Sequence, residues 1–213
     1  MAERKRYIDV KVPILNSTMR VLGTAENLHN KTIKLDLTRK LRGKGLIIKL
    51  KIFNREGNLV AIPNNMELIK SYVRRIMRKR TDYVEDSFHA RCSDIRVIVK
   101  PLLITRKKVS KAVRKNLRNT TREFIIEYIK EKSYIEVCND ILDETLKRAM
   151  LPKLKKVYPL SFSDIRMFET KELEKIDIEK ASIMLDEENI RETSNEENKT
   201  EEETTDEEKI EKE

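Results

Sequence analysis

Four side chains could together hold a zinc ion: His29, His89, Cys92 and Cys138. His89 and Cys92 form a half-pair of the type H-x-x-C. The other two are single and distant, whereas structural zinc sites come as two close pairs. A Cys–His nucleophile would draw on the same residues and would need a lowered thiol pKa and contact in space. The plainer reading makes His89 a partly exposed strand residue and both cysteines small core hydrophobes. Asp82, Glu85 and Asp86 could bind Mg²⁺ in a nuclease, where converging carboxylates are required. They directly follow Arg78-Lys79-Arg80-Thr81, so local charge compensation accounts for them. There is no P-loop and no GxGxxG, and four glycines in all argue against a nucleotide-cradling loop. The sequence thus reads as a protein with no catalytic residues, no metal and no cofactor.

Phosphate recognition is the chemistry that the residue types do support. From Ile95 to Arg122 the chain carries Arg96, Lys100, Arg106, Lys107, Lys108, Lys111, Arg114, Lys115, Arg118 and Arg122, and no acid. The last six fall on what reads as one helix. Lys111–Lys115, Arg114–Arg118 and Arg118–Arg122 are four apart, where like charges repel by roughly 0.2–0.5 kcal/mol per pair. Two further segments repeat the pattern: Arg39, Lys40, Arg42 and Lys44 around Gly43, and Arg74, Arg75, Arg78, Lys79 and Arg80. Arginine is prominent, and its planar fork suits bidentate phosphate recognition. Clustered bases of this kind are the electrostatic footprint of a nucleic-acid binder.

Composition agrees. Up to Thr170 there are 39 basic and 19 acidic residues, a formal +20, and from Lys171 onward 7 and 18, a formal −11. A basic body therefore precedes an acidic tail. Only 38% of residues are hydrophobic and 39% are charged, so part of the chain cannot contribute to a core. Two cysteines make no disulfide framework. The start of the chain has no apolar signal-peptide region, and no apolar run approaches the ~18 residues of a membrane span. We expect a soluble intracellular protein that uses no membrane.

The elements that must carry these bases follow from periodicity. Residues 1–30 read as a basic, irregular N-terminal extension with a first strand (Ile8, Val10, Val12) ending at Pro13. Residues 31–169 read as the body, and 170–213 as an acidic low-complexity tail with one marginal helix over Leu173–Met184. Ile33/Leu35/Leu37 and Ile48/Leu50/Ile52 alternate with polar residues, the period of half-buried strands. Asn54–Asn58 reads as a hairpin turn, with Leu59–Ile62 returning to Pro63. Asn64 is an expected N-cap, with Glu67 as capping-box partner, for a helix with the stripe Ile69, Tyr72, Val73 and Ile76. Phe88–Arg91 and Ile95–Thr105 read as paired strands, Pro101 marking an edge or bulge. The basic helix then carries the stripe Val109, Val113, Leu117, Thr121, Phe124 and Tyr128. A helix over Tyr134–Met150 follows, with Asp140, Asp143 and Glu144 on its solvent side. Pro152 should start a basic connector, and Val157–Phe168 should return to extended structure. The expected fold is α+β: a curved, mostly antiparallel, barrel-like sheet packed against helices near 65–79, 108–132 and 134–150.

RNA is favoured over DNA. No zinc finger, basic zipper or clear helix-turn-helix is visible. The stacking aromatics of an RRM are absent too, and aromatics make up only 5% of residues. Sequence readout by base stacking is not expected, and binding to structured RNA by shape and phosphate contacts remains.

Several segments together resemble the small-ribosomal-subunit protein family shared by archaea and eukaryotes, the "three-A" family of older eukaryotic naming. They are Leu35-Asp36-Leu37-Thr38, Lys49-Leu50-Lys51-Ile52, Tyr72-Val73-Arg74-Arg75 and Arg78-Lys79-Arg80-Thr81. Further on come Arg96-Val97-Ile98-Val99-Lys100-Pro101-Leu102-Leu103, Ala112-Val113-Arg114-Lys115 and Lys156-Val157-Tyr158-Pro159-Leu160. The order matches the family's, over roughly residues 5–168. Cys92-Ser93-Asp94-Ile95 departs from it where the family has an Asp-Gly-Tyr-like turn. The resemblance implies a structural constituent of the small subunit that is not an enzyme and supports translation in the cytoplasm. It would bind ribosomal RNA on the platform near the mRNA exit, touch neighbouring platform proteins, and not form a homo-oligomer. It further implies Arg74, Arg75, Arg78, Lys79, Arg80, Lys100, Arg114 and Lys115 as residues near RNA. The alternative is a structured-RNA-binding protein or chaperone outside the ribosome. In either case the −11 tail can shield the +20 body from unrelated RNA.

Overall fold

A computed structural model describes residues 6–55 and 58–173. In chain order the strands are β1 (Arg6–Val12), β2 (Ser17–Gly23), β3 (Thr32–Asp36), β4 (Leu46–Arg55), β5 (Asn58–Leu68), β6 (Tyr83–Glu85), β7 (Phe88–Arg91), β8 (Arg96–Thr105) and β9 (Leu160–Thr170). The helices are α1 (Ala25–Leu28), α2 (Lys70–Ile76), α3 (Lys111–Lys130), α4 (Tyr134–Leu142) and α5 (Thr145–Val157). No helix among the described residues is long and apolar enough to cross a membrane.

Strict alternation builds the strands. Leu46, Ile48, Leu50 and Ile52 are buried while Ile47, Lys49 and Lys51 are less so, which sets β4 with one face on the core. All nine strands join one mixed, open sheet. β5 holds β4 along one edge and shares its other edge between β1 and β9. β8 does the same, with β9 on one side and β7 and β6 in succession on the other. The β1–β5 pairing is parallel and the rest are antiparallel. Barrel-like closure is not found. Two strands that each split an edge branch the sheet, and β2, β3, β6 and β7 each pair on one side only among the described residues. Residues 6–23 are likewise no irregular lead-in but a paired hairpin of the sheet.

Prolines account for several differences from the expected boundaries. β5 runs through Pro63 to Leu68, and the helix α2 is confined to seven residues. Lys49 pairs Asn65 while Leu50 pairs Pro63, so Asn64 is the extra residue of a bulge. A bulge tolerates a residue with no N–H to donate. Pro101 sits at another bulge, between Lys100 and its neighbour in the β8–β9 pairing, and in the gap between β7 and β6 on the other side. The expected Tyr134–Met150 helix breaks at Glu144, which has φ 60°. α5 then continues past Pro152 to Val157 instead of giving way to a connector. Its buried stripe is Leu146, Met150 and Leu154, and Pro152 lies on the exposed side, where water can take the freed Arg148 carbonyl.

α3 buries Leu117, Thr121, Phe124, Ile125 and Ile129. Thr121 is tolerated inside because its hydroxyl donates to the Leu117 carbonyl at 2.7 Å. α4 inserts Tyr134, which is fully buried. Its ring stacks on Phe168 with centroids 5.5 Å apart, and its hydroxyl donates to the Pro63 carbonyl at 2.8 Å. One side chain thereby joins α4, β9 and the β5 bulge. Residues 56–57 of the expected Asn54–Asn58 turn, the start of the N-terminal basic run and the acidic tail beyond 173, with its expected helix, lie outside the described residues.

Candidate nucleic-acid interface

The first basic segment is a tight loop between β3 and β4. Asp36 starts it, its carboxylate accepting from the Thr38 hydroxyl and, at 2.8 Å, from the Thr38 N–H. Those bonds, helped by Arg39, hold the Asp36 carboxyl below its ordinary value. Leu41 N–H donates to Leu37, Gly43 N–H to Thr38 and Lys44 N–H to Leu41. The turn closes with Arg42 at φ 49° and Gly43 at φ 91°, the second a left-handed position that suits glycine. Arg39, Lys40 and Arg42 project into solvent. Gly45 then passes so close to α2 that a Cβ there would lie 2.8 Å from Tyr72 Cβ.

Lys44 departs from the expectation that it faces RNA. It is 7% exposed, and its ammonium lies 2.8 Å from Asp164 Oδ2 and 3.5 Å from Glu144 Oε1. The contact with Asp164 is an ion pair without hydrogen-bond alignment. Burial pushes the Glu144 carboxyl up, but Lys147 and Lys44 outweigh it and hold it below its ordinary value. Glu144 is thus half-exposed and paired with two lysines rather than a free charge on the solvent side. This cluster pins the loop to β9 and to the α4–α5 break.

The second segment spans α2 and the turn after it. Val73 faces the core, leaving Arg74 and Arg75 exposed in the last turn, where cations favour the helix dipole. Arg75 lies over the Tyr72 ring, 5.5 Å from its centroid. Arg78, Lys79 and Arg80 follow, all exposed, with Arg80 at φ 68° and the Thr81 hydroxyl donating to the Arg78 carbonyl at 2.7 Å.

The third segment is fastened to the second by Asp82 and Thr105. Thr105 is buried, and its N–H and hydroxyl donate to the Asp82 carbonyl at 2.9 and 3.0 Å. The Asp82 N–H returns a bond to Thr105 Oγ1 at 3.0 Å, and Asp82 Oδ2 accepts from the Val109 N–H at 2.9 Å. The Thr105 hydroxyl shares its single proton between the Asp82 carbonyl and the Lys107 carbonyl, which is nearer at 2.7 Å. This clamp sets Arg78–Arg80 beside the loop bearing Arg106, Lys107 and Lys108, all exposed. Ser110 caps α3, its hydroxyl accepting from the Val113 N–H. Lys111, Lys115 and Arg118 are exposed on α3 and Arg114 is half-buried. No acid lies in its first turn, so Lys111 and the helix dipole place positive charge together.

The remaining candidates do not converge. Glu85 pairs with Arg166, and Asp86 with Arg122, whose guanidinium donates to both carboxylate oxygens at 3.1 Å. With Asp82 in the clamp, the three acids point to three separate partners rather than one metal site. Among the described residues no group of three or more His, Cys, Asp or Glu is placed for a metal. Cys92 and Cys138 are buried, and burial pushes the Cys92 thiol up to about 12 and the Cys138 thiol higher still. His89 is exposed on β7, and His29 Nδ1 accepts from the Asn54 N–H at 3.2 Å. Lys100 is half-buried in a groove it shares with Glu67, Glu85 and Asp86, a mixed-charge setting unlike that of the three segments. Lys70, Tyr83 and Arg166 border the basic elements and were not singled out from sequence. The alternation of Tyr83 with the apolar Val84 was the one available signal.

A family model described as the ribosomal S3Ae family matches residues 3–173. The small ribosomal subunit protein eS1 of Nanoarchaeum equitans is 28% identical over 111 residues, 52% of this chain and 56% of that protein. Its counterpart from Haloarcula marismortui is 24% identical over 127 residues, 58% of this chain and 60% of that protein. The chain therefore spans less than two thirds of the length of these curated relatives.

Proposed function

The chain belongs to the ribosomal S3Ae family, and from that premise we propose that its body is a structural constituent of the small ribosomal subunit that neutralises and orders folded ribosomal RNA. The observation that carries the proposal is the Asp82–Thr105 clamp. It brings two basic segments far apart in sequence to one place, and among the described residues their cations other than Arg122 have no acidic partner. Held rigidly, such groups repel one another, and a phosphodiester chain relieves the repulsion.

The contacting residues are Arg39, Lys40 and Arg42, then Arg74, Arg75, Arg78, Lys79 and Arg80, then Arg106, Lys107, Lys108, Lys111, Lys115 and Arg118, with Arg114 and Lys100 at the margin. Lys44 is left out because it is buried. The site is the platform near the mRNA exit in the cytoplasmic ribosome, beside other platform proteins. The role is positioning and charge neutralisation, not catalysis.

Two measurements test this. Sedimentation of tagged protein should show it with small subunits after a high-salt wash, and a protein that never co-migrates there leaves only the free RNA-binding reading. For purified chain and small-subunit rRNA, removing Arg106, Lys107 and Lys108 together should flatten the log K against log salt slope by about 2 to 2.7. An unchanged slope would refute the assignment of that loop.

A further inference from the structure

We propose that the cavity between α2 and β6 seats one unpaired RNA nucleotide, its base stacked on Tyr83 and its phosphates met by Lys70 and Arg74. The inference rests on the RNA-binding reading above and adds a ligand position to it. The cavity holds about 300 Å³ and is bordered by Lys70, Arg74, Met77, Tyr83, Glu85 and Arg166.

Alternation in β6 sends Val84 into the core and turns Tyr83 outward, 59% exposed. Met77, just past α2, is 40% exposed. Exposed large apolar side chains are few among the described residues, and two of them border one cavity. The cations beside them are unclaimed: Lys70 and Arg74 are exposed, one helical turn apart, and neither has an ion-pair partner among the described residues. Glu85 is the acid of the cavity, and Arg166 holds it, so it does not confront a phosphate as a free charge.

An aromatic face with free cations at its side is the arrangement by which proteins hold unstacked bases. Every base has a π-face, so the seat discriminates unpaired from paired nucleotides rather than one base from another. The low aromatic content of the chain argues against a multi-base platform, not against a single seat. Fully paired RNA cannot enter, because its bases are stacked on one another. The expected ligand is a bulged or looped nucleotide in a structured RNA.

The test uses the full chain and two RNA hairpins, one fully paired and one carrying a single 2-aminopurine bulge. The bulged hairpin should bind more tightly, and its fluorescence should fall as the base stacks. Tyr83→Ala should lower affinity for the bulged hairpin by about 5- to 150-fold and restore the fluorescence, while Tyr83→Phe keeps both. Removing Lys70 and Arg74 together should flatten the salt slope by about 1.4 to 1.8, a change Tyr83→Ala should not make. Tyr83 is largely exposed, and far-UV circular dichroism checks that the variant folds. If wild type and Tyr83→Ala bind the bulged hairpin equally, with a bright probe, the seat is overturned and the wider RNA-binding reading stands. Protection of Tyr83 by a neighbouring ribosomal protein instead of RNA would overturn it as well. If wild type binds neither hairpin at low salt, the RNA-binding reading fails and the seat with it.

Discussion

Replacing Lys44 by Met separates a structural base from the neighbouring bases that we propose meet phosphate. The Lys44 ammonium is 2.8 Å from Asp164, and the two side chains are 8% and 5% exposed. Without it, Asp164 keeps only the Ile165 N–H, at 2.8 Å on Oδ1, among the bonds described. Removing one partner of a buried ion pair costs about 3–5 kcal/mol, and the retained N–H places Lys44→Met near ~3 kcal/mol. That is a large share of the roughly 5–15 kcal/mol that stabilises a domain. Asp164→Leu should cost less, because Lys44 keeps the half-exposed Glu144 at 3.5 Å. Combining both changes should recover most of the loss, since an apolar pair of similar volume removes the buried charge altogether. Urea unfolding followed by far-UV circular dichroism reads these as midpoint shifts at constant slope, and the double-mutant cycle isolates the coupling. In parallel, Lys44→Met should leave the salt slope of RNA binding unchanged, while Arg42→Ala flattens it by about 0.7–0.9. Stability within ~0.5 kcal/mol of wild type, or a slope change matching that of Arg42→Ala, would refute the reasoning and return Lys44 to the phosphate contacts.

Tyr134→Phe keeps the ring stack on Phe168 but leaves the Pro63 carbonyl without its donor, so urea unfolding should show a loss of about 1–3 kcal/mol. Thr105→Val should speed amide hydrogen exchange over residues 106–109 without doing so at the centre of β8, because the clamp through Asp82 is cut there; uniform exchange would count against a local clamp. The raised thiols set an alkaline limit. Burial favours neutral Cys92 and Cys138 in the folded state, so stability is intact below the ordinary thiol value of 9.0 and declines as pH rises from there through about 12, with neither thiol alkylated in the native protein at neutral pH. Deleting residues 190–213 removes much of the acidic tail and should raise affinity for unrelated RNA at low salt; equal affinity would remove any shielding role for it.

The strands were legible because a two-residue period survives in a sequence whose exposed positions are almost all charged. Leu46 to Ile52 and Arg96 to Lys100 show it plainly. Boundaries failed where a local rule met a tertiary exception. Pro63 reads as a strand end, but its missing N–H falls at a bulge. Pro152 reads as a helix end, but it lies on the solvent side of α5. Glu144 carries no local mark of the left-handed turn that divides α4 from α5. The basic segments were legible as composition. Nothing local separates Lys44 from Arg42, because burial of Lys44 depends on Asp164 in the last described strand. The juxtaposition of segments two and three was hidden for the same reason. It runs through Asp82 and Thr105, which read as a loop acid and the end of a strand.

The acids of the body explain why the bases remain available. A surface with intermixed charges would pair each arginine with a neighbouring carboxylate, and the excess of cations would be diluted. Here Asp36 takes the Thr38 N–H, Asp82 takes Val109, and Asp164 takes Lys44 and Ile165. Each of these carboxylates accepts a backbone N–H that shapes a basic loop or its support, so it organises the cations without cancelling those that point outward. Glu85 and Asp86 neutralise Arg166 and Arg122, at the edge of the basic region and beyond its clamped centre. Such an allocation has no benefit for a free protein in water, where a few exposed acids would relieve the repulsion more simply. It becomes favourable when the opposing charge arrives from outside, already fixed in space, as the phosphates of a folded RNA are.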